Sequence, residues 1–128
     1  MKILMTQEQG RVPVTVIKPE GRINLGNAEE LLQQARASYD QGVRDMLLDL
    51  GAIESVTSAG LRAILTIAKM LSGDRAGPSG EKEAASTVKT QHFKIANPQP
   101  MVKSVLDIAG FYTLIEIYED LKEAIASF

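Results

Sequence analysis

Residues 45–50, Asp45-Met46-Leu47-Leu48-Asp49-Leu50, and residues 55–61, Ser55-Val56-Thr57-Ser58-Ala59-Gly60-Leu61, decide the fold. The first is a short, nearly continuous apolar run, the pattern of a strand covered on both faces. The second leads into the stretch from Leu61 to Leu71, where only Arg62, Thr66 and Lys69 interrupt the apolar residues. Their spacing places them in one narrow polar stripe on an otherwise buried helix. With Thr57 as N-cap, Val56 and Leu61 occupy the two positions of a hydrophobic staple and Ser58 becomes the first helical residue. Unpaired backbone N–H groups and the positive end of the helix dipole meet there, so a hydroxyl at position 58 is suited to carry a phosphate.

Upstream, Ile3 to Glu8 and Val12 to Lys18 read as a hairpin turned at Gln9-Gly10. Pro13 predicts that the second strand starts at an edge, and Pro19-Glu20-Gly21 predicts a break before Arg22-Ile23-Asn24-Leu25 resumes it. Asn27 with Glu30 is a capping-box pair for a helix whose face is Ala28, Leu31, Leu32, Ala35 and Tyr39, stopped at Gly42. Downstream, residues 72–91 change to Gly, Ser, Ala, Glu, Lys and Pro with no periodic apolar set. That stretch reads as a flexible insertion, with a disordered spacer favoured over a partner-contacting arm or lid. His92 to Ala96 returns to strand. Asn97-Pro98 predicts an N-cap with proline at the first helical position, and a face of Met101, Val102, Val105, Leu106 and Ala109 ended by Gly110. Thr113 to Tyr118 predicts a final strand. Asp120 with Glu123 then caps a last helix with Leu121, Ala124, Ile125 and Phe128 on one face. Strands alternating with helices in this order imply one α/β domain over residues 1–128, a mostly parallel mixed sheet with an N-terminal hairpin and about four helices.

The 128 residues are 45% hydrophobic and 23% charged with a net charge of −2, a composition long and apolar enough for a real core. Basic residues are scattered, which argues against a nucleic-acid-binding face. The absence of cysteine excludes disulfides and thiolate metal sites. The N-terminal residues lack the apolar core of a signal peptide, and no run approaches the ~18 apolar residues of a membrane span. The expectation is a soluble cytoplasmic protein with no membrane or nucleic-acid partner.

Enzyme chemistry finds little support. His92 is the only histidine, and Ser58 lacks a Gly-x-Ser-x-Gly elbow. Asp45 and Asp49 share one side of their strand but read as solvated strand ends, with no third ligand for a metal. Gly21, Gly26, Gly51 and Gly60 are isolated and form no nucleotide cradle. Arg22 could contact an anion, yet a single arginine beside a turn reads as surface charge, and Met46, Met70 and Met101 read as core. No catalytic residue, metal or cofactor is expected.

Leu47-Leu48-Asp49-Leu50 followed by Thr57-Ser58-Ala59-Gly60-Leu61 resembles the signature of the STAS domain family, and more narrowly of the anti-sigma-factor antagonists. Val14-Thr15-Val16-Ile17 leading to Gly21-Arg22-Ile23-Asn24 resembles the family's second strand and Gly-x-Ile-Asp segment, and Asn97-Pro98 through Gly110-Phe111 its third helix and following turn. The family often carries Asp where this chain has Thr57 and Asn24, and a shorter link where it has residues 72–91. The resemblance implies a switch. The unmodified domain binds a serine-kinase anti-sigma factor and frees the sigma factor, phosphorylation at Ser58 (alternatively Thr57) ends the complex, and a phosphatase resets it. It also implies a partner surface of Asn24, Thr57, Ser58, Ala59, Gly60, Leu61 and Arg62 on a monomer or weak dimer. Two alternatives stand beside it: a scaffold subunit of a large stress-sensing assembly, and a small nucleotide-binding protein or hydrolase.

Overall fold

One long strand organises the sheet. In the computed structural model, which describes residues 1–72 and 90–128, strand β2 runs without interruption over Pro13–Ile23. It pairs antiparallel with β1, Lys2–Gln9, to form the expected hairpin. Its other edge is shared by two short parallel strands. β3, Met46–Asp49, pairs with Thr15 to Ile17, and β4, Ile53–Val56, pairs with Gly21 to Ile23. β5, Phe93–Ala96, and β6, Glu116–Tyr118, extend the sheet beyond β3 in parallel. The order is β1-β2-β3-β5-β6, with β4 beside the far half of β2.

Four helices accompany this sheet among the described residues: α1 over Ala28–Asp40, α2 over Ser58–Leu71, α3 over Pro100–Ile108 and α4 over Leu121–Ala126. The two faces carry separate cores. Ile17, Met46, Leu48, Phe93 and Ile95 point into the larger cluster, which takes in the buried faces of α1, α2 and α3. Val14, Val16, Leu47 and Ala96 meet Ala124 of α4 on the opposite face. The alternation along each strand assigns these faces. None of the helices is long and apolar enough to cross a membrane.

Several local expectations change in three dimensions. β4 was not foreseen as a strand, because only Ile53 and Val56 of its residues are buried and there is no two-residue period to read. The expected break at residues 19–21 is instead a shift of register between Gly21 and Arg22 within a continuous strand. Gly21 adopts φ +98°, which an L side chain disfavours, and the bulge swings β2 from β3 to β4. Pro19 falls between the two paired stretches, where no neighbour on that edge needs its missing N–H. Pro13 is the first residue of an interior strand rather than part of an edge.

The capping at two helices also differs. Asn27 precedes α1, yet its side chain makes no cap bond. Its Oδ1 accepts from the Asn24 N–H at 2.9 Å and its Nδ2 donates to the Arg22 carbonyl at 2.7 Å, so it staples the loop instead. Asn97 takes a left-handed conformation with φ 60°, and α3 starts later, with Gln99 as N-cap and Pro100 in the first turn. The Gln99 side chain donates to the Gly51 carbonyl at 2.9 Å, tying α3 to the β3–β4 turn. Only Val102 and Leu106 of α3 are buried; Met101, expected in the core, is 72% exposed, and Ala109 is exposed too. The last strand is shorter than expected because Phe111–Thr113 forms a 3-10 turn first.

Asp49 is not a solvated strand end. It is buried, and its carboxylate accepts from the Gly51 N–H at 2.9 Å, shaping the tight turn into β4. Asp45 instead lies 2.8 Å from Nδ1 of His92 at the other end of β3. The polar stripe of α2 is broader than Arg62, Thr66 and Lys69, since Leu61, Leu65 and Met70 are only partly covered. The expected insertion over residues 72–91 lies outside the described residues except for Ser72, Thr90 and Gln91.

Candidate functional site

The parallel strands β2 and β4 end side by side, with Ile23 opposite Val56, so the chain leaves both at the same edge of the sheet. This is the carboxyl end of the parallel strands, where open α/β sheets gather their functional residues. Thr57 follows Val56 in extended conformation and caps α2, as expected from its position. Its backbone N–H donates to the Ile23 carbonyl at 2.9 Å. Its hydroxyl accepts from the Gly60 N–H at 3.4 Å and faces the Ile23 carbonyl, also at 3.4 Å.

Ser58 is the first residue of α2 and is exposed. Its hydroxyl makes no hydrogen bond among the described residues, and α2 has no acidic residue in its first turn. The two adjacent hydroxyls therefore differ in employment: Thr57 closes the helix end, and Ser58 points outward. Asn24 begins the loop beside them. Its carboxamide oxygen accepts from the Gly26 N–H at 2.9 Å, a role an aspartate performs equally well.

Gly60 is buried behind this surface. A Cβ there would come within 2.8 Å of side-chain carbons of both Ile23 and Val56, and 3.0 Å from the Ile23 carbonyl oxygen. That carbonyl is held by the Thr57 N–H and cannot easily retreat. Glycine thus lets the helix start press directly on the strand ends. Gly60→Ala is expected to destabilise the domain by about 1–2 kcal/mol in urea unfolding, since the ~1 kcal/mol gained in helix propensity is smaller than an overpacking cost of up to about 3 kcal/mol. Unchanged or increased stability would refute the close-approach account.

Of the remaining residues expected at this surface, Arg62 is exposed one turn along α2, while Ala59 and Leu61 are half-buried. Four neighbours were not assigned to this surface from the sequence. Arg22, Glu54, Ser55 and Met101 join Asn24 and Thr57 around an open hollow of about 520 Å³. Arg22 and Glu54 form a long, exposed ion pair at 3.8 Å across it. Met101 supplies its apolar wall. Arg22 and Ser55 are register partners in β2 and β4, so a hint lay only in recognising β4.

The chemistry available here is limited. Among the described residues no group of three or more His, Cys, Asp and Glu could hold a metal. No acid or base among the described residues hydrogen-bonds Ser58. What the arrangement offers is a free primary hydroxyl at a helix start, where added negative charge suits the local backbone dipoles.

Comparison with known proteins bears on the same residues. The sequence model of the STAS domain matches residues 4–76, which contain most of the hairpin, both strands of the site and all of α2. The chain belongs to the STAS domain family. A protein of Bordetella bronchiseptica named as an anti-sigma factor antagonist, BtrV, is 30% identical over 128 residues, covering 100% of this chain and 95% of that one. Among solved structures, an anti-sigma factor antagonist from Mycobacterium paratuberculosis superposes with a TM-score of 0.73 at 20% identity, covering 98% of this chain and 93% of that one. The Bacillus cell-fate determinant SpoIIAA in its phosphorylated form superposes with a TM-score of 0.59 at 18% identity, covering 95% and 96%. SpoIIAA is also known in an unphosphorylated form, with a TM-score of 0.61 at 15% identity, covering 95% and 92%. By its match to the Bordetella relative this STAS domain is of the anti-sigma factor antagonist type, and its mixed six-stranded sheet is the SpoIIAA-like fold. Such relatives are regulators by name.

Proposed function

We propose that this STAS domain is a phosphorylatable antagonist that acts in the cytoplasm. The unmodified chain docks on a serine-kinase anti-sigma factor through the surface of Asn24, Thr57, Ser58, Leu61 and Arg62, and so frees the sigma factor. The Ser58 hydroxyl then attacks the γ-phosphorus of ATP held by that kinase. A new O–P bond forms, ADP leaves, and the hydroxyl proton passes to a base of the kinase. The domain is the substrate of this transfer and supplies no catalytic group. A phosphatase hydrolyses the phosphoester and resets the switch.

The observation that carries the reading is the exposed Ser58 hydroxyl, without a hydrogen-bond partner among the described residues, next to a Thr57 hydroxyl committed to the helix cap. A fold shared with SpoIIAA, known with and without phosphate, supports it. The test is incubation with the cognate kinase and ATP, followed by phosphosite mapping with mass spectrometry. Label is expected on Ser58, lost in Ser58→Ala and retained in Thr57→Ala, although the latter loses about 1 kcal/mol of stability with its cap. Label on Thr57 would move the acceptor. No label on either residue, together with no complex, would refute the function.

A further inference from the structure

We propose that Arg62 is the intramolecular counter-ion of a phosphoryl group on Ser58, one turn away on the same face of α2. This rests on Ser58 being the acceptor. Residues four apart on a helix are surface neighbours, and the acid-first order, with the anion N-terminal to the cation, is the favourable one. Helical side chains lean toward the N-terminus, so the long Arg62 side chain covers the turn that begins at Ser58.

The unmodified chain leaves this arginine unengaged. Both residues are exposed, and the Arg62 guanidinium has no hydrogen bond or ion pair among the described residues. α2 contains no Asp or Glu, so the helix offers Arg62 no carboxylate of its own. By contrast, Arg22, the other arginine near the site, already faces Glu54. Arg62 also holds its backbone place firmly: its carbonyl accepts the Thr66 hydroxyl at 2.9 Å. A planar guanidinium matches two phosphate oxygens at once, which a single amine does not. Phosphorylation therefore does two things at this edge. It adds about −1.5 to −2 charges, and it draws in a cation of the helix start that is unpaired among the described residues.

The test uses the full chain with phosphoserine installed at position 58 during synthesis, so no kinase is needed. Phosphorus NMR gives the second ionisation of the phosphoserine, ordinarily near pH 6. In the native chain it is expected about half a unit lower than in Arg62→Gln, an approximately threefold change in proton affinity. Arg62→Lys should recover only part of the difference, and Arg22→Gln should leave it unchanged. The Arg62 Nε–H resonance should move between about pH 5 and about pH 8 in the phosphorylated chain and stay fixed in the unmodified one. Equal ionisation in the native and Arg62→Gln chains, or a shift that follows Arg22 instead, overturns the proposal while leaving the acceptor assignment untouched. Failure of a kinase to label Ser58 would sink that assignment and leave this measurement intact.

Discussion

Ser58→Asp is expected to weaken the complex with the kinase by a factor of about 10² or more, while the variant melts within a few degrees of the native chain. The two halves of this result have different causes. Within the fold, position 58 is exposed at the start of α2, where a carboxylate meets the positive end of the helix dipole at no packing cost. Across the interface, a surface matched to a neutral hydroxyl must desolvate a charge or face it with its own acids, and a hundredfold loss corresponds to about 2.7 kcal/mol. Ser58→Ala should therefore bind like the native chain, separating loss of the hydroxyl from gain of charge. Titration calorimetry with the purified kinase checks both variants. Native affinity in Ser58→Asp would refute the electrostatic account, and an unfolded variant would refute the placement of Ser58.

Much of this edge was legible in the sequence because its signals are local. Thr57 before a run of apolar helix marks a cap by chemistry acting over three residues, and the cap then specifies which hydroxyl is free. The stops at Gly42 and Gly110 were legible for the same reason: both take positive φ directly after a helix. The misreadings were non-local. β4 is a strand only because the Gly21 bulge delivers half of β2 to it, and Arg22, Glu54 and Ser55 converge only once that pairing exists. Met101 sits on the edge of the apolar stripe of α3, so periodicity alone could not show that the helix turns it outward. Asn97-Pro98 had the composition of a helix start, but the Asn97 N–H is taken by the Tyr118 carbonyl at 2.8 Å, which holds it in the sheet's orbit and defers the helix to Pro100.

Lys94 is the residue whose type misleads most, and its replacement carries the largest expected effect on stability. It lies mid-strand in β5, 3% exposed, on the face that α4 covers. Its ammonium donates to the Ser127 carbonyl and hydroxyl, both at 2.9 Å, and approaches Glu116 at 3.4 Å. The Phe128 ring lies over it at 4.8 Å. Tyr118 adds a further link by donating to Glu116 at 2.7 Å. The Tyr118 hydroxyl ionises above its ordinary value: a hydrogen bond with Ser127 lowers its pKa, but the bond to Glu116, burial and the charges of Glu116 and Glu123 together outweigh that. The last helix, only six residues long, is thus held by one buried cation as well as by Ala124.

Lys94→Ala is expected to cost about 2–4 kcal/mol, combining a cavity under α4 with polar groups left unpaired. The figure is set below the full penalty of a broken buried pair because the Glu116 side chain is 34% exposed and can recover water. Lys94→Met keeps the stem and removes only the charge, so it should cost clearly less. Urea unfolding measures both losses. Hydrogen exchange should show the deprotection concentrated in residues 121–128, with the α2 start unaffected, since that cluster lies on the opposite face of the sheet. Equal costs for the two variants would mean that the ammonium carries the whole contribution and that the volume of its stem adds little. Loss of protection spreading evenly through both faces would mean that α4 is part of the global folding unit rather than a separately anchored element.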